Sequence, residues 1–140
     1  MTSLEAKTDY IICPVRNVTP EVVVILDDYV RKLEAIGRSV HYPPRDVEQD
    51  LDPIGIRILL KHRDGMKRCK RVHLYWNGKS EGSFSDFGMA LMTDNPIFLI
   101  NRSDVEKMAT PGKKSFPNVF LYLDEQARIM YGNPLAQKRE

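Results

Sequence analysis

The chain has 140 residues, 42% of them hydrophobic and 29% charged, with a formal net charge of +2. Such a chain is expected to form one domain over residues 1–140 with a real buried core. So small a net charge gives no electrostatic footprint for nucleic acid. No apolar run approaches the roughly 20 residues that span a bilayer. Cys13 and Cys69 lack the short spacing and further partners of a zinc site. Two free thiols with no secretory signal point to the cytoplasm.

Residues 1–8 read as a loose leader. Residues 10–14, Tyr-Ile-Ile-Cys-Pro, form an apolar run of strand length ended by a proline. Thr19-Pro20-Glu21 is a helix start: a capping hydroxyl, a proline at the first helical position, then an acid. Val22, Leu26, Tyr29, Leu33 and Ile36 continue it at three- and four-residue spacing, and Gly37 closes it. Residues 38–42 fit a second strand cut off by Pro43-Pro44, and the polar stretch 45–52 reads as a loop.

Asp52-Pro53 opens another helix by the same logic. Ile58, His62, Met66 and Cys69 share one face of it, Gly65 is a weak point, and it runs to about residue 70. The basic run Lys67, Arg68, Lys70, Arg71 is most simply a solvated face. Residues 72–76 give a third strand, closed by the Asn77-Gly78 turn. The stretch 80–101 reads as a polar loop, a short helix opening at Ser83, a tight exit at Asp94-Asn95 and a buried strand at 97–100. Beyond it a short helix at 103–108, a loop at 110–117 and a fifth strand at 119–123 are expected. Residues 128–131 lean toward a further strand.

Strands alternating with helices predict an α/β protein, a three-layer flavodoxin- or Rossmann-like sandwich with a mainly parallel sheet of about five strands. Ligands of such folds sit outside the carboxyl ends of the strands. No G-x-G-x-x-G follows the first strand, no G-x-x-x-x-G-K-[ST] occurs, and no nucleophile elbow is spaced along the chain.

What remains is an ordered set: strand-Pro14-Val15-Arg16, a helix acid at Asp64 before the third strand, and Gly82-Ser83-x-x-Asp86-x-Gly-x-Ala before Pro96-Ile97. Over residues 10–101 this resembles the nucleoside 2-deoxyribosyltransferase family and its relatives that hydrolyse N-glycosidic bonds of nucleoside monophosphates. The resemblance implies an enzyme that takes a small nucleoside or nucleotide, uses no cofactor or metal, and forms a homo-oligomer. It assigns the nucleophile to Asp86 and a sugar- or base-orienting role to Asp64. Pro14, Val15, Arg16 and Asn17 form the loop near the sugar or its 5′-phosphate, joined by Gly82 and Ser83, and Tyr42 is a base-stacking candidate. Family members commonly complete the site with a residue near the C-terminal region of a neighbour, for which Asn118, Asn133 and the end of this chain are candidates.

The family residue at the nucleophile position is usually Glu. Asp is shorter by one methylene, about 1.5 Å of reach. The local alternative for Asp86 is a capping box, with its carboxylate turned back onto the Ser83 N–H. For Asp64 it is a solvated helix acid pairing with Arg68. For the whole chain it is a non-catalytic nucleotide-binding module on the same fold.

Overall fold

The computed structural model describes residues 7–47 and 52–136. The chain runs β1 (Asp9–Ile12), α1 (Pro20–Ala35), β2 (Val40–His41), α2 (Pro43–Asp46), α3 (Ile56–Arg68), β3 (Arg71–Leu74), α4 (Glu81–Met92), β4 (Ile97–Leu99), α5 (Arg102–Met108) and α6 (Phe116–Tyr131). The four strands make one all-parallel sheet in the order β2-β1-β3-β4. The expected α/β class holds, with four strands in the described residues rather than five.

The strand alternation divides the core between the two faces of the sheet. Tyr10 and Ile12 of β1 point to the side of α3 and α4, packing with Met66, Phe87 and Ala90. Ile11 and Cys13 point the other way, onto Leu26, Tyr29, Val30 and Leu33 of α1. The α1 start follows the sequence signal closely, with Thr19 Oγ1 accepting the Val22 N–H at 3.3 Å and Pro20 at the first position.

Several boundaries differ from expectation, each for a local reason. Thr8 is not loose: it bonds Ser39 through backbone and side chain, and its carbonyl accepts from Lys70 and Arg71. Residues 1–6 of the expected leader lie outside the described residues. Pro43-Pro44 starts the short helix α2 instead of only ending a strand, because proline suits a first helical turn. Residues 48–51 of the expected loop are not described. Helix α3 begins at Ile56, after Gly55 at φ 83°, yet Asp52 still caps it by accepting the Ile58 N–H at 2.8 Å.

The larger correction is α6. Residues 119–123 and 128–131, read as strands, belong to one 16-residue helix. Its start carries the same signal as α1, with Ser115 Oγ accepting from Asn118 and Pro117 in the first turn. The β-branched and aromatic residues on either side of its centre, Val119, Phe120, Tyr122, Ile129 and Tyr131, masked that signal. Packed along β4, α6 closes the sheet edge with side chains. The buried Asp124 accepts the Leu99 N–H at 2.7 Å, and Arg128 donates to the Leu99 carbonyl at 3.3 Å. Arg102 and Arg128 neutralise the same carboxylate at 2.6 and 3.0 Å. These bonds replace a fifth strand at the edge. Asp124→Ala, which strips the edge N–H of its acceptor and frees two arginines, is expected to cost about 2–3 kcal/mol by urea unfolding.

Candidate functional site

In this strand order successive strands are added to one side of β1 and then to the other, so the switch point lies between β1 and β3, where crevices form in open α/β sheets. Two loops flank that point: residues 13–19 after β1 and residues 75–80 after β3. Asn101 props the second loop, pairing both ways with the Trp76 backbone at 3.0 and 2.7 Å. In the first loop Asn17 takes a left-handed φ of 55°, which Asn tolerates better than most residues. Arg16 and Asn17 are exposed, and Arg16 has no ion-pair partner among the described residues.

Helix α4 begins at Glu81, two residues earlier than its sequence pattern suggested. Ser80, not Ser83, is the cap: its Oγ accepts the Ser83 N–H at 3.2 Å and the Ser83 hydroxyl at 2.9 Å. Asp86 therefore sits in the second turn, beyond reach of the unpaired N–H groups, and the capping-box reading fails. Its carboxylate turns inward and is 4% exposed. Oδ1 lies 3.0 Å from His62 Nδ1 on α3, and Oδ2 accepts a long bond of 3.4 Å from the Tyr10 hydroxyl on β1.

Three elements thus converge on one acid. Tyr10 can approach because Gly65 faces it: a Cβ there would come within 3.2 Å of the Tyr10 ring. A glycine inside a helix costs about 1 kcal/mol relative to alanine, and here the position admits the ring instead. His41 completes the cluster, its ring 4.9 Å from that of Tyr10 and 6.5 Å from that of His62. The Nε2 atoms of His41 and His62 are both buried without a hydrogen-bond partner among the described residues. Burial, then the neighbouring Asp86 charge, raises the Tyr10 hydroxyl pKa, so the phenol keeps its proton and donates. Burial also pushes the Cys13 thiol up to about 12 and the Cys69 thiol up to about 11, which leaves neither as a thiolate nucleophile.

The residues singled out from sequence divide into three groups. Asp86 lies in the buried cluster, and Ser83 is buried nearby in α4 while Gly82 is exposed at the helix start. Pro14, Val15 and Tyr42 line a cavity of about 250 Å³ with Leu26, Asp27 and Arg45. That cavity lies toward α1, the opposite sheet face from Asp86, and Tyr42 is held in it by a 2.9 Å bond to Asp27. Asp64 joins neither. Its side chain is 55% exposed and meets Arg63, not Arg68. The α3 residue that reaches Asp86 is His62, whose inward face the helical spacing had identified but whose partner it had not. Asn118 is engaged within its own chain, donating to the Thr110 and Lys113 carbonyls.

A second polar cluster, at the amino end of the sheet, was invisible in the sequence. Asp9 is fully buried and accepts from Thr8, Arg38, Arg71 and His73. Burial would raise its carboxyl pKa, but the His73 and Arg71 hydrogen bonds outweigh that and hold it well below the usual range. His73 Nδ1 sits 2.8 Å from the Tyr29 hydroxyl and Nε2 2.7 Å from Asp9, so the neutral ring donates through Nε2 and accepts at Nδ1. Beside the cluster Arg38, Lys70, Arg71 and Asp94 line a cavity of about 290 Å³.

Both His41 and His73 have depressed pKa values, chiefly through burial, His41 to about 4. In the unfolded chain these rings bind protons below about pH 6.5. Folding excludes those protons, so the two histidines cost nothing above that pH and destabilise the fold as pH falls toward 4. Each ring contributes a slope of at most about 1.4 kcal/mol per pH unit, less for the partly exposed His41. Asp9 and Asp46, with lowered pKa values, withdraw their stabilisation only below about pH 4, so the windows separate. Urea midpoints measured from pH 7 to pH 4 should fall steadily, and less steeply in His41→Asn.

Among the described residues, no three His, Cys, Asp or Glu side chains converge on a metal position. None of their helices is long and apolar enough to cross a membrane. No protein-family model matches the chain, and no curated protein matches it in sequence.

Proposed function

We propose that this chain cleaves or transfers at the N-glycosidic bond of a nucleoside, deoxynucleoside or nucleoside 5′-monophosphate, with Asp86 as the nucleophile. One observation carries the reading: a carboxylate is buried in the second turn of α4 and held by a histidine and a tyrosine rather than by its own helix. Burying an acid away from water is costly; Asp9 and Asp124 offset that cost with arginines, whereas Asp86 meets only His62 and Tyr10 among the described residues. The ordered resemblance across residues 10–101 supplies the substrate class.

In the proposed reaction one Asp86 oxygen attacks the anomeric carbon of the sugar as the bond to the base nitrogen breaks. That bond's electron pair leaves with the base, which takes a proton. The glycosyl ester on Asp86 then passes its sugar to water or to a second base, and the carboxylate is regenerated. Arg16, exposed in the loop after β1 and without an ion-pair partner among the described residues, is suited to a 5′-phosphate. A homo-oligomer follows from the same resemblance.

A second reading is non-catalytic nucleotide binding. It is favoured by the placement of the Pro14, Val15 and Tyr42 cavity on the sheet face away from Asp86. Chromatography of free base released from a panel of nucleosides and their monophosphates separates the two. Base release lost in Asp86→Ala supports the enzyme. Saturable binding with no release from any substrate supports the module.

A further inference from the structure

We propose that His62 is the positioning residue of Asp86, fixing which carboxylate oxygen faces the sugar; the inference rests on the glycosidic reading above. The attacking form of Asp86 is the carboxylate, which only accepts hydrogen bonds, so His62 must present Nδ1–H to it. The last torsion of an aspartate is soft and broad. A strong donor on one oxygen therefore decides where the other points. At 3.0 Å His62 commits Oδ1, whereas Tyr10 at 3.4 Å holds Oδ2 only loosely. Oδ2 is the oxygen left to attack.

The far side of the ring supports the assignment. With Nδ1–H directed at Asp86, Nε2 is the far end of the ring, and that atom is buried without a hydrogen-bond partner among the described residues. His73 is the contrast: fully buried, with both ring nitrogens bonded, one to Tyr29 and one to Asp9. His41 shares the unpartnered Nε2 but makes no hydrogen bond to Asp86, so the Nδ1 contact is what sets His62 apart. Among the described residues His62 makes a single hydrogen bond, to Asp86. Leaving a buried ring nitrogen unpaired costs about 1–3 kcal/mol, a cost that the bond to Asp86 offsets at the other end of the ring.

The test uses the full-length protein with His62→Leu, His62→Asn and His62→Gln, beside wild type and Asp86→Ala. Steady-state base release and melting temperature are measured for each. Asn places an amide N–H near the Nδ1–H position, while Gln places its own near Nε2. If His62 orients Asp86, His62→Leu lowers kcat by about a hundredfold with KM little changed. His62→Asn then recovers at least about tenfold of that loss, and His62→Gln does not. A merely structural role would move kcat only with the folded fraction. Should His62→Leu fail to fold, the Asn and Gln pair decides, and equal rates for them overturn the proposal. A fully active His62→Leu beside an inactive Asp86→Ala also overturns it, and leaves the glycosidic reading standing. No base release by wild type overturns both.

Discussion

Asp86→Ala is expected to lower base release by about a thousandfold or more, because it removes the atom that forms the covalent bond to the sugar. Asp86→Asn should fall as far, since it keeps the shape but not the charge. Neither loss would come from unfolding. Without the carboxylate, the Tyr10 hydroxyl and the His62 N–H lose their shared acceptor, which costs about 1–3 kcal/mol and leaves most domains folded. Circular dichroism at the assay temperature checks this. The informative companion is Asp86→Glu, which restores the side-chain length usual in the resembled family. Here His62 and Tyr10 meet the acid at aspartate reach, in a site only 4% exposed. The added methylene should displace the carboxylate by about 1.5 Å and lower the rate roughly a hundredfold. A Glu variant faster than wild type would mean that the pocket is shaped for the longer acid.

Asp9→Ala is expected to be the most destabilising single change, at about 3–5 kcal/mol, read from urea unfolding at pH 7. The carboxylate is completely buried and answers two guanidinium groups, one imidazole and one hydroxyl. Removing it leaves the Arg38 and Arg71 charges mostly buried, at 14% and 26% exposure, with no other counter-charge among the described residues. It also strips His73 of its acceptor in the centre of the sheet. Asp9→Asn should cost less, because its amide oxygen still accepts from one of these donors. A loss below about 1 kcal/mol for Asp9→Ala would show that water reaches the arginines and replaces the acid. The cluster ties the start of β1 to β3 and to the turn before β2, so its loss should unfold the sheet as a unit.

The parts legible in the chain were those decided by neighbours in sequence. Thr19-Pro20 starts α1 because a hydroxyl and a fixed φ act within one turn, wherever the helix packs. Alternating apolar runs and helical stripes imply a parallel sheet covered on both faces, because no other arrangement buries them all. Asp86 stood out for the same reason, as an acid in an ordered motif. Even there the local signal misled: Ser83-x-x-Asp86 looked like a capping box, but Ser80 is the cap of a helix that begins at Glu81, and the acid turned inward.

The rest depended on contacts that spacing does not encode. In α6 the aromatic and β-branched residues suit a strand or a helix equally, and the β4 edge selects the helix by supplying Leu99 as a partner for Asp124 and Arg128. Asp64 and His62 are two residues apart, a rotation of roughly 200° on an α-helix, so only one can face inward. His62 does, 24 residues from Asp86 along the chain and 3.0 Å from it in space. Periodicity told which face of each element is apolar. Only the packed sheet brought Tyr10, His62 and Asp86 together, because hydrogen bonds between distant elements follow from how the layers meet, not from the order of residues within any one of them.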